Sequence, residues 1–407
     1  MLIETGLGLL VSSAMLTSIR TNNMPDKKKI EKIFEYTKTW VTTQGNDIKK
    51  PQFIREDNIT ADEKVIGIEY VYRLPLGMPF KKLEYLNENV GVFKDGLHKN
   101  VEIDFNEGMM HLNVYEADLP KSWDYVDEKL EGWKVPIGKT YKELIMHDFD
   151  STPHLVGGGT TRYGKTNLVK GIITSLIINH PEDVELYLID LKSGVEFYRY
   201  RNLKQVQMVA TNVAETYDLL TEVMLKLEVE KGYYRDNGWS NVIESPIKKR
   251  TFVIIDEAGD LVPESFMDKD EKDMHKECQW MLSHIARIGG AFGFRELFFS
   301  QYTTADVLPR QIKQNCDAKI SFKLQNGYSS EVVLGEGNTQ AADLEKIPGR
   351  AMFKDGATMH KLQVPRIYDK QMEKLLQDHY VTKRKDITDE QQADGDTNEL
   401  IQIRDID

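Results

Sequence analysis

From about residue 135 onward, short apolar runs alternate with longer stretches of helical periodicity. The runs fall at 154–157, 184–189, 206–210, 251–255, 296–300 and 318–324, with helical stretches between most of them and the longest at 213–237. Such alternation predicts a parallel sheet covered by helices on both faces, an α/β domain whose strand count fits a RecA-like core. The run Thr251-Phe252-Val253-Ile254-Ile255 is β-branched and aromatic throughout, as expected of a strand buried on both sides.

The upstream pattern differs. Ile30, Ile33, Phe34, Tyr36 and Trp40 mark one amphipathic helix; 63–74 is β-rich and stops at a proline- and glycine-bearing break, 75–79. Residues 80–93 have helical spacing, and 101–105 and 109–116 look like paired strands. This predicts a small N-terminal α+β domain over 23–134, followed by the α/β domain over 135–372. Trp123 and Trp133 are expected to be packing residues. No internal repeat is present.

Composition is that of a globular protein, 40% hydrophobic and 29% charged over 407 residues. Cys278 and Cys316 are the only cysteines, which argues against a disulfide framework or a cysteine zinc site. The net charge of −12 is unevenly spread: 386–407 carry eight acids against Arg404. Residues 373–407 thus read as an acidic, disordered tail, and the rest of the chain is only mildly acidic. That balance excludes a protein that coats nucleic acid with its whole surface, but not one that grips it with a few basic loops. Residues 5–19 contain no charge and precede Arg20 and Lys27-Lys28-Lys29. They fall short of the ~20 residues that span a bilayer, so 1–22 are either a marginal membrane anchor with cytosolic lysines or a buried N-terminal element.

The chemistry is concentrated in two places. Gly159, Thr160, Thr161, Arg162, Tyr163, Gly164, Lys165 and Thr166 form a complete phosphate-binding P-loop, between a strand-like run at 154–156 and a helix-like run at 167–173. In this setting backbone N–H groups and a helix N-terminus wrap the phosphates of ATP, Lys165 neutralises their charge and the Thr166 hydroxyl ligates Mg²⁺. Asp256 and Glu257 end the 251–255 strand. An acid pair there is often an ordinary helix N-cap. Paired with a P-loop, Asp256 holds the Mg²⁺ shell through water and Glu257 activates the attacking water. Gln301 ends the strand expected beside that of Asp256, at the carboxyl edge where open α/β sheets bind nucleotides. A side-chain amide there can touch the γ-phosphate and report hydrolysis to 309–315.

With these residues the chain resembles the FtsK/SpoIIIE/HerA group of hexameric DNA-pumping ATPases, and within it the coupling-type ATPases of conjugative elements. The resemblance covers roughly 135–360 and rests jointly on several stretches. These are Ile137-Gly138-Lys139, Pro153-His154-Leu155 ahead of the P-loop, Leu188-Ile189-Asp190-Leu191-Lys192, the helix ending near Glu230-Lys231-Gly232, Ile285-Ala286-Arg287-Ile288-Gly289 and Leu297-Phe298-Phe299-Ser300-Gln301. It implies ATP hydrolysis with Mg²⁺, a homohexamer acting on DNA, a relaxase or secretion-channel protein as partner, and a place at the cytoplasmic face of a membrane. It implies Gln301 as the sensor and an arginine acting from the neighbouring subunit, for which Arg287, Arg350 and Lys319 are candidates. Arg162-Tyr163 replace the family's usual Gly-Ser, with their side chains expected to point away from phosphate and Arg162 toward a neighbouring subunit or the base. The winged-helix module of some members has no counterpart in this sequence. A phage or plasmid packaging or replication ATPase, and a protein-remodelling AAA-type ATPase, are the alternative readings.

Overall fold

A computed structural model describes residues 24–381, apart from 44, 62, 193, 302, 305, 306 and 309. The uncharged N-terminal run and the acidic run at 386–407 lie outside the described residues. The chain divides into two units, one made of the residues up to Pro120 with Lys139–Ile145, the other of Lys121–Gly138 and the residues from Met146 onward.

The first unit begins with helix α1 (Asp26–Tyr36) and a two-stranded ribbon, β1 (Val41–Thr42) with β2 (Ile48–Lys49). Then come β3 (Gln52–Ala61), β4 (Lys64–Arg73), α2 (Phe80–Glu88), α3 (Gly91–Leu97), β5 (Asn100–Asn106) and β6 (Met109–Tyr115). Strands β3 to β6 form an antiparallel sheet in the order β3-β4-β6-β5. The amphipathic face of α1 buries Ile30, Ile33 and Phe34, and the Phe34 ring meets Tyr72 edge-on at 5.0 Å. The single helix expected over 80–93 is two helices. Asn89 interrupts it, donating its side-chain amide back to the Tyr85 carbonyl and so competing with helical continuation.

The second unit holds most of a ten-stranded sheet. Its elements are β7 (Lys134–Lys139), β8 (Leu144–Asp148), β9 (Leu155–Gly158), α4 (Lys165–Asn179), β10 (Val184–Ile189), β11 (Val206–Ala210), α5 (Val213–Asn237) and β12 (Arg250–Ile255). They continue as α6 (Lys269–Ile288), β13 (Phe294–Ser300), α7 (Arg310–Asn315), β14 (Ala318–Phe322), α8 (Gly327–Leu334), β15 (Arg350–Asp355), β16 (Thr358–Gln363) and α9 (Asp369–Leu375). The strand order is β11-β10-β12-β13-β9-β14-β15-β16-β7-β8. From β11 to β14 every pairing is parallel; β14-β15 and β15-β16 are antiparallel. Every residue of β12 and β13 is buried, as helices on both faces require.

Structure continues past residue 373, where the sequence pattern placed the start of the acidic tail. Met372 and Leu376 are buried, the Tyr200 hydroxyl contacts the Met372 sulfur at 3.0 Å, and Tyr380 bridges Leu203. Apolar anchors spaced four apart hold this last helix although its sequence is mostly polar.

At the amino end of the sheet, β12 and β13 are tied by one carboxylate. Asp150 accepts two hydrogen bonds from Arg250 (2.8 and 3.0 Å) and one from Arg295 (2.8 Å). Arg295 is fully buried, and these neighbours hold the Asp150 carboxyl below its usual pKa although partial burial works the other way. Asp150→Ala would strand two buried guanidiniums, a change expected to destabilise the fold by about 3–5 kcal/mol. Urea unfolding would measure this, and a loss below about 1 kcal/mol would show that Asp150 is not the clasp.

Candidate nucleotide-binding site

Four parallel strand ends converge on one edge. β9 runs into the P-loop, β10 into Asp190-Leu191-Lys192, β12 into Asp256-Glu257 and β13 into Gln301. Because β13 lies between β12 and β9, Gln301 sits between the acid pair and the P-loop. A pocket of about 810 Å³ opens here, with Thr161, Arg162, Lys165, Thr166, Asp256 and Gln301 in its wall and Gln363, Val364 and Arg366 facing them.

The P-loop is shaped from outside itself. Gly159 N–H donates to the Ser300 carbonyl at 3.3 Å, and the Thr160 hydroxyl donates to the Lys323 carbonyl at 3.0 Å. Gly349 N–H donates to the Tyr163 carbonyl at 2.8 Å. Gly164 has φ +114°, and a Cβ there would lie 2.9 Å from the Gly349 nitrogen, so no other residue fits. Arg162 has φ +74°, the left-handed region. That region favours glycine, and the arginine is held there at some conformational expense. Arg162 is exposed and contributes to the pocket wall.

Lys165 opens α4 and is 4% exposed. Its amine donates to the Asp256 carbonyl and lies 3.5 Å from Asp256 Oδ1 and 3.6 Å from Glu257 Oε2. Asp256 is raised in pKa by burial, which the Lys165 charge opposes and Asp190 and Glu257 reinforce. Its Oδ1 is buried and accepts no hydrogen bond among the described residues. An oxygen left in that condition in the pocket that Thr166 also lines fits a hydrated divalent cation held jointly with phosphate oxygens. Among the described residues no group of three His, Cys, Asp or Glu side chains could hold a metal by itself.

Glu257 is buried and does not line the pocket. It accepts hydrogen bonds from the Ser300 hydroxyl (2.5 Å), Gly259 N–H (3.1 Å) and Gln301 N–H (2.9 Å to Oε2). The Gln301 side-chain oxygen accepts from Thr161 Oγ1 at 2.8 Å and from Lys192 Nζ at 3.0 Å. Gln301 thus joins the acid pair, the P-loop and the β10 edge.

Of the three candidate trans-acting cations, Arg350 faces inward and Lys319 is half-buried. Arg350 is 2% exposed with Glu345 at 3.8 Å, and the Lys319 amine donates to the Cys316 carbonyl. Arg287 is exposed at the end of α6. Gly349, Asn167 and Lys192 were not assigned site roles from the sequence. Asn167 grips the chain at the far wall, accepting from Ile367 N–H at 3.1 Å. Only the Asp-x-Lys spacing after β10 carried any sequence signal for Lys192.

A parallel sheet with a P-loop at its carboxyl edge, a buried lysine against an acid pair and a polar residue on the adjoining strand define a P-loop ATPase domain. Residues 120–283 match the sequence model of the FtsK/SpoIIIE family, and the chain carries an FtsK/SpoIIIE domain. The DNA translocase FtsK of Oceanobacillus iheyensis is 24% identical over 311 residues, covering 71% of this chain and 37% of that protein. The type VII secretion system protein EssC of Staphylococcus aureus is 27% identical over 260 residues, 60% of this chain and 17% of that one. The chain therefore spans less than half the length of these curated relatives. Among solved structures, the pCW3 conjugation coupling protein TcpA, in monomer form with ATPγS, is similar in fold with a TM-score of 0.61 and 23% identity, over 86% of this chain and 99% of that one. The cytoplasmic domain of the Thermomonospora curvata type VII secretion ATPase EccC has a TM-score of 0.52 and 18% identity, over 65% of this chain and 33% of that one.

Proposed function

We propose that this chain is an ATP-driven DNA translocase working as a homohexamer, the coupling ATPase of a conjugative or mobile element. The observation that carries the reading is the placement of Lys165 within 3.6 Å of both Asp256 and Glu257, with Gln301 bonded to Glu257 and Thr161 alike. The similarity of fold to a conjugation coupling protein over most of the chain supports the conjugative role.

In this reading Lys165 and the P-loop N–H groups bind the triphosphate of ATP, and Thr166 and Asp256 hold Mg²⁺. The cation, when bound, neutralises charge developing on the phosphate oxygens. Glu257 orients and takes a proton from the attacking water, its carboxylate aimed by Ser300, Gly259 and Gln301. Gln301 senses the γ-phosphate, and because its backbone also holds Glu257, its displacement on hydrolysis moves the end of β13. In a ring, that displacement drives loops that pull on the phosphate backbone, with little sequence preference. A relaxase or secretion-channel protein would deliver the DNA. Residues 1–22 would either tether the ring to the cytoplasmic face of the membrane or form a buried N-terminal element; no helix among the described residues is long and apolar enough to cross a membrane.

Steady-state ATPase assays with double- and single-stranded DNA, across a salt series, test this. DNA is expected to stimulate turnover severalfold, with the stimulation fading as salt screens phosphate contacts. The EssC relatives make an unfolded polypeptide the informative control. Stimulation by polypeptide and not by DNA would replace the DNA reading with a protein-handling one.

A further inference from the structure

The charge balance of the pocket points to a second phosphate-binding residue. Lys165 supplies one positive charge, already set against two buried carboxylates at 3.5 and 3.6 Å. A triphosphate brings several negative charges to the same place, so the pocket needs further positive charge to hold its terminal phosphate. Lys170 and Arg366, also in the wall, have their own carboxylate partners, Asp369 at 2.8 Å and Asp124 at 3.2 Å, while Lys121 and Arg162, which line it without an ion pair among the described residues, are not bonded to Gln301 as Lys192 is.

Lys192 is placed differently. It lines the pocket, is exposed, and has no carboxylate within ion-pair distance among the described residues. Its amine donates to Gln301 Oε1 at 3.0 Å, the same oxygen that Thr161 of the P-loop reaches at 2.8 Å. The turn that carries it is held by Asp190, which is buried and whose Oδ2 accepts from Glu196 N–H (2.8 Å) and Phe197 N–H (3.1 Å). Asp190 therefore shapes the turn, and the lysine two residues on presents an ammonium at the Gln301 end of the pocket.

We propose that Lys192 is a second phosphate-binding residue of this site, supplied by the same subunit, that exchanges the Gln301 amide oxygen for an oxygen of the γ-phosphate when ATP binds. The exchange is favourable because an ammonium facing an anion gains a Coulomb attraction that a neutral amide oxygen cannot supply. It also frees Gln301 Oε1, so arrival of the γ-phosphate is transmitted to the strand end that holds Glu257. Lys192 thereby adds to the separation of ATP from ADP, since it meets the γ-phosphate alone whereas Lys165 also serves the β-phosphate that both nucleotides share.

The assignment rests on the nucleotide-site reading above, and the experiment separates the two. Titration calorimetry of the full chain with ATPγS and with ADP, each with Mg²⁺, is run on wild type, Lys165→Ala, Lys192→Ala and Lys192→Arg. Lys192→Ala is expected to weaken ATPγS about tenfold or more, the size of one hydrogen bond to a charged group, and ADP less than about twofold. Lys192→Arg should recover most of the ATPγS affinity. An equal loss for both nucleotides, or none for either, overturns the assignment while leaving the site reading intact. Wild-type protein that binds neither nucleotide overturns both. Because Lys192 is exposed, its melting temperature should match wild type, and a lowered one would assign the lysine a structural role instead.

Discussion

Lys165→Ala is expected to abolish ATP turnover and to weaken ATPγS binding by about a hundredfold or more, in keeping with the strength of charge-assisted contacts in a buried site. The lysine does two things at once. It is the principal cation facing the bound phosphates, and it is the counter-charge for Asp256 and Glu257, both almost wholly buried. Removing it leaves two carboxylates in low dielectric without their cation, so the protein should also unfold at lower denaturant concentration. The two effects separate when binding is measured well below the variant's melting temperature. An alanine variant that binds ATPγS as wild type does would show that phosphate charge is met elsewhere, and the P-loop assignment would fall.

Glu257→Gln is expected to keep ATP affinity within a few-fold and to lose about 10² to 10⁴ in turnover, the usual contribution of a positioned general base. The structure adds a qualification. The carboxylate accepts from Ser300, Gly259 and Gln301 at once, and an amide can turn only one acceptor toward those donors. The new NH₂ would face the Gln301 N–H or the Lys165 amine, donor against donor, a local penalty of about 1–3 kcal/mol. The variant should therefore be somewhat less stable yet competent to bind. Single-turnover hydrolysis decides it: a rate within threefold of wild type would remove Glu257 from water activation.

Much of this site was legible because its chemistry is contiguous in sequence. Eight P-loop residues and the Asp256-Glu257 pair each occupy one strand-to-loop junction, and parallel strands bring such junctions to one edge. Gln301 was legible from its position at the end of a buried run. The shaping of the P-loop by Gly349 was not, because nothing near residue 349 in the chain mentions a phosphate site; only the β15-β16 hairpin brings it there. That hairpin was itself missed, its strands being mixed in polarity. Arg350 read as a candidate for reaching a neighbouring subunit because the family resemblance implies such an arginine, whereas β15 turns it inward beside Glu345. The break at Asn89 was hidden by helical spacing that continues on either side of it.

The strand order has a consequence for how the protein is made. β9, which carries the P-loop, pairs with β13 and β14, and both are synthesised long after it. Until Phe294–Ser300 and Ala318–Phe322 have left the ribosome, the loop's own strand has no neighbour and Gly159 and Thr160 lack the carbonyls of Ser300 and Lys323. At about 5–20 residues per second, the nascent chain spends roughly ten to thirty seconds with an apolar strand edge open and no formed nucleotide site. ATP can therefore act as a late folding ligand, stabilising the sheet only once its central strands have closed around β9.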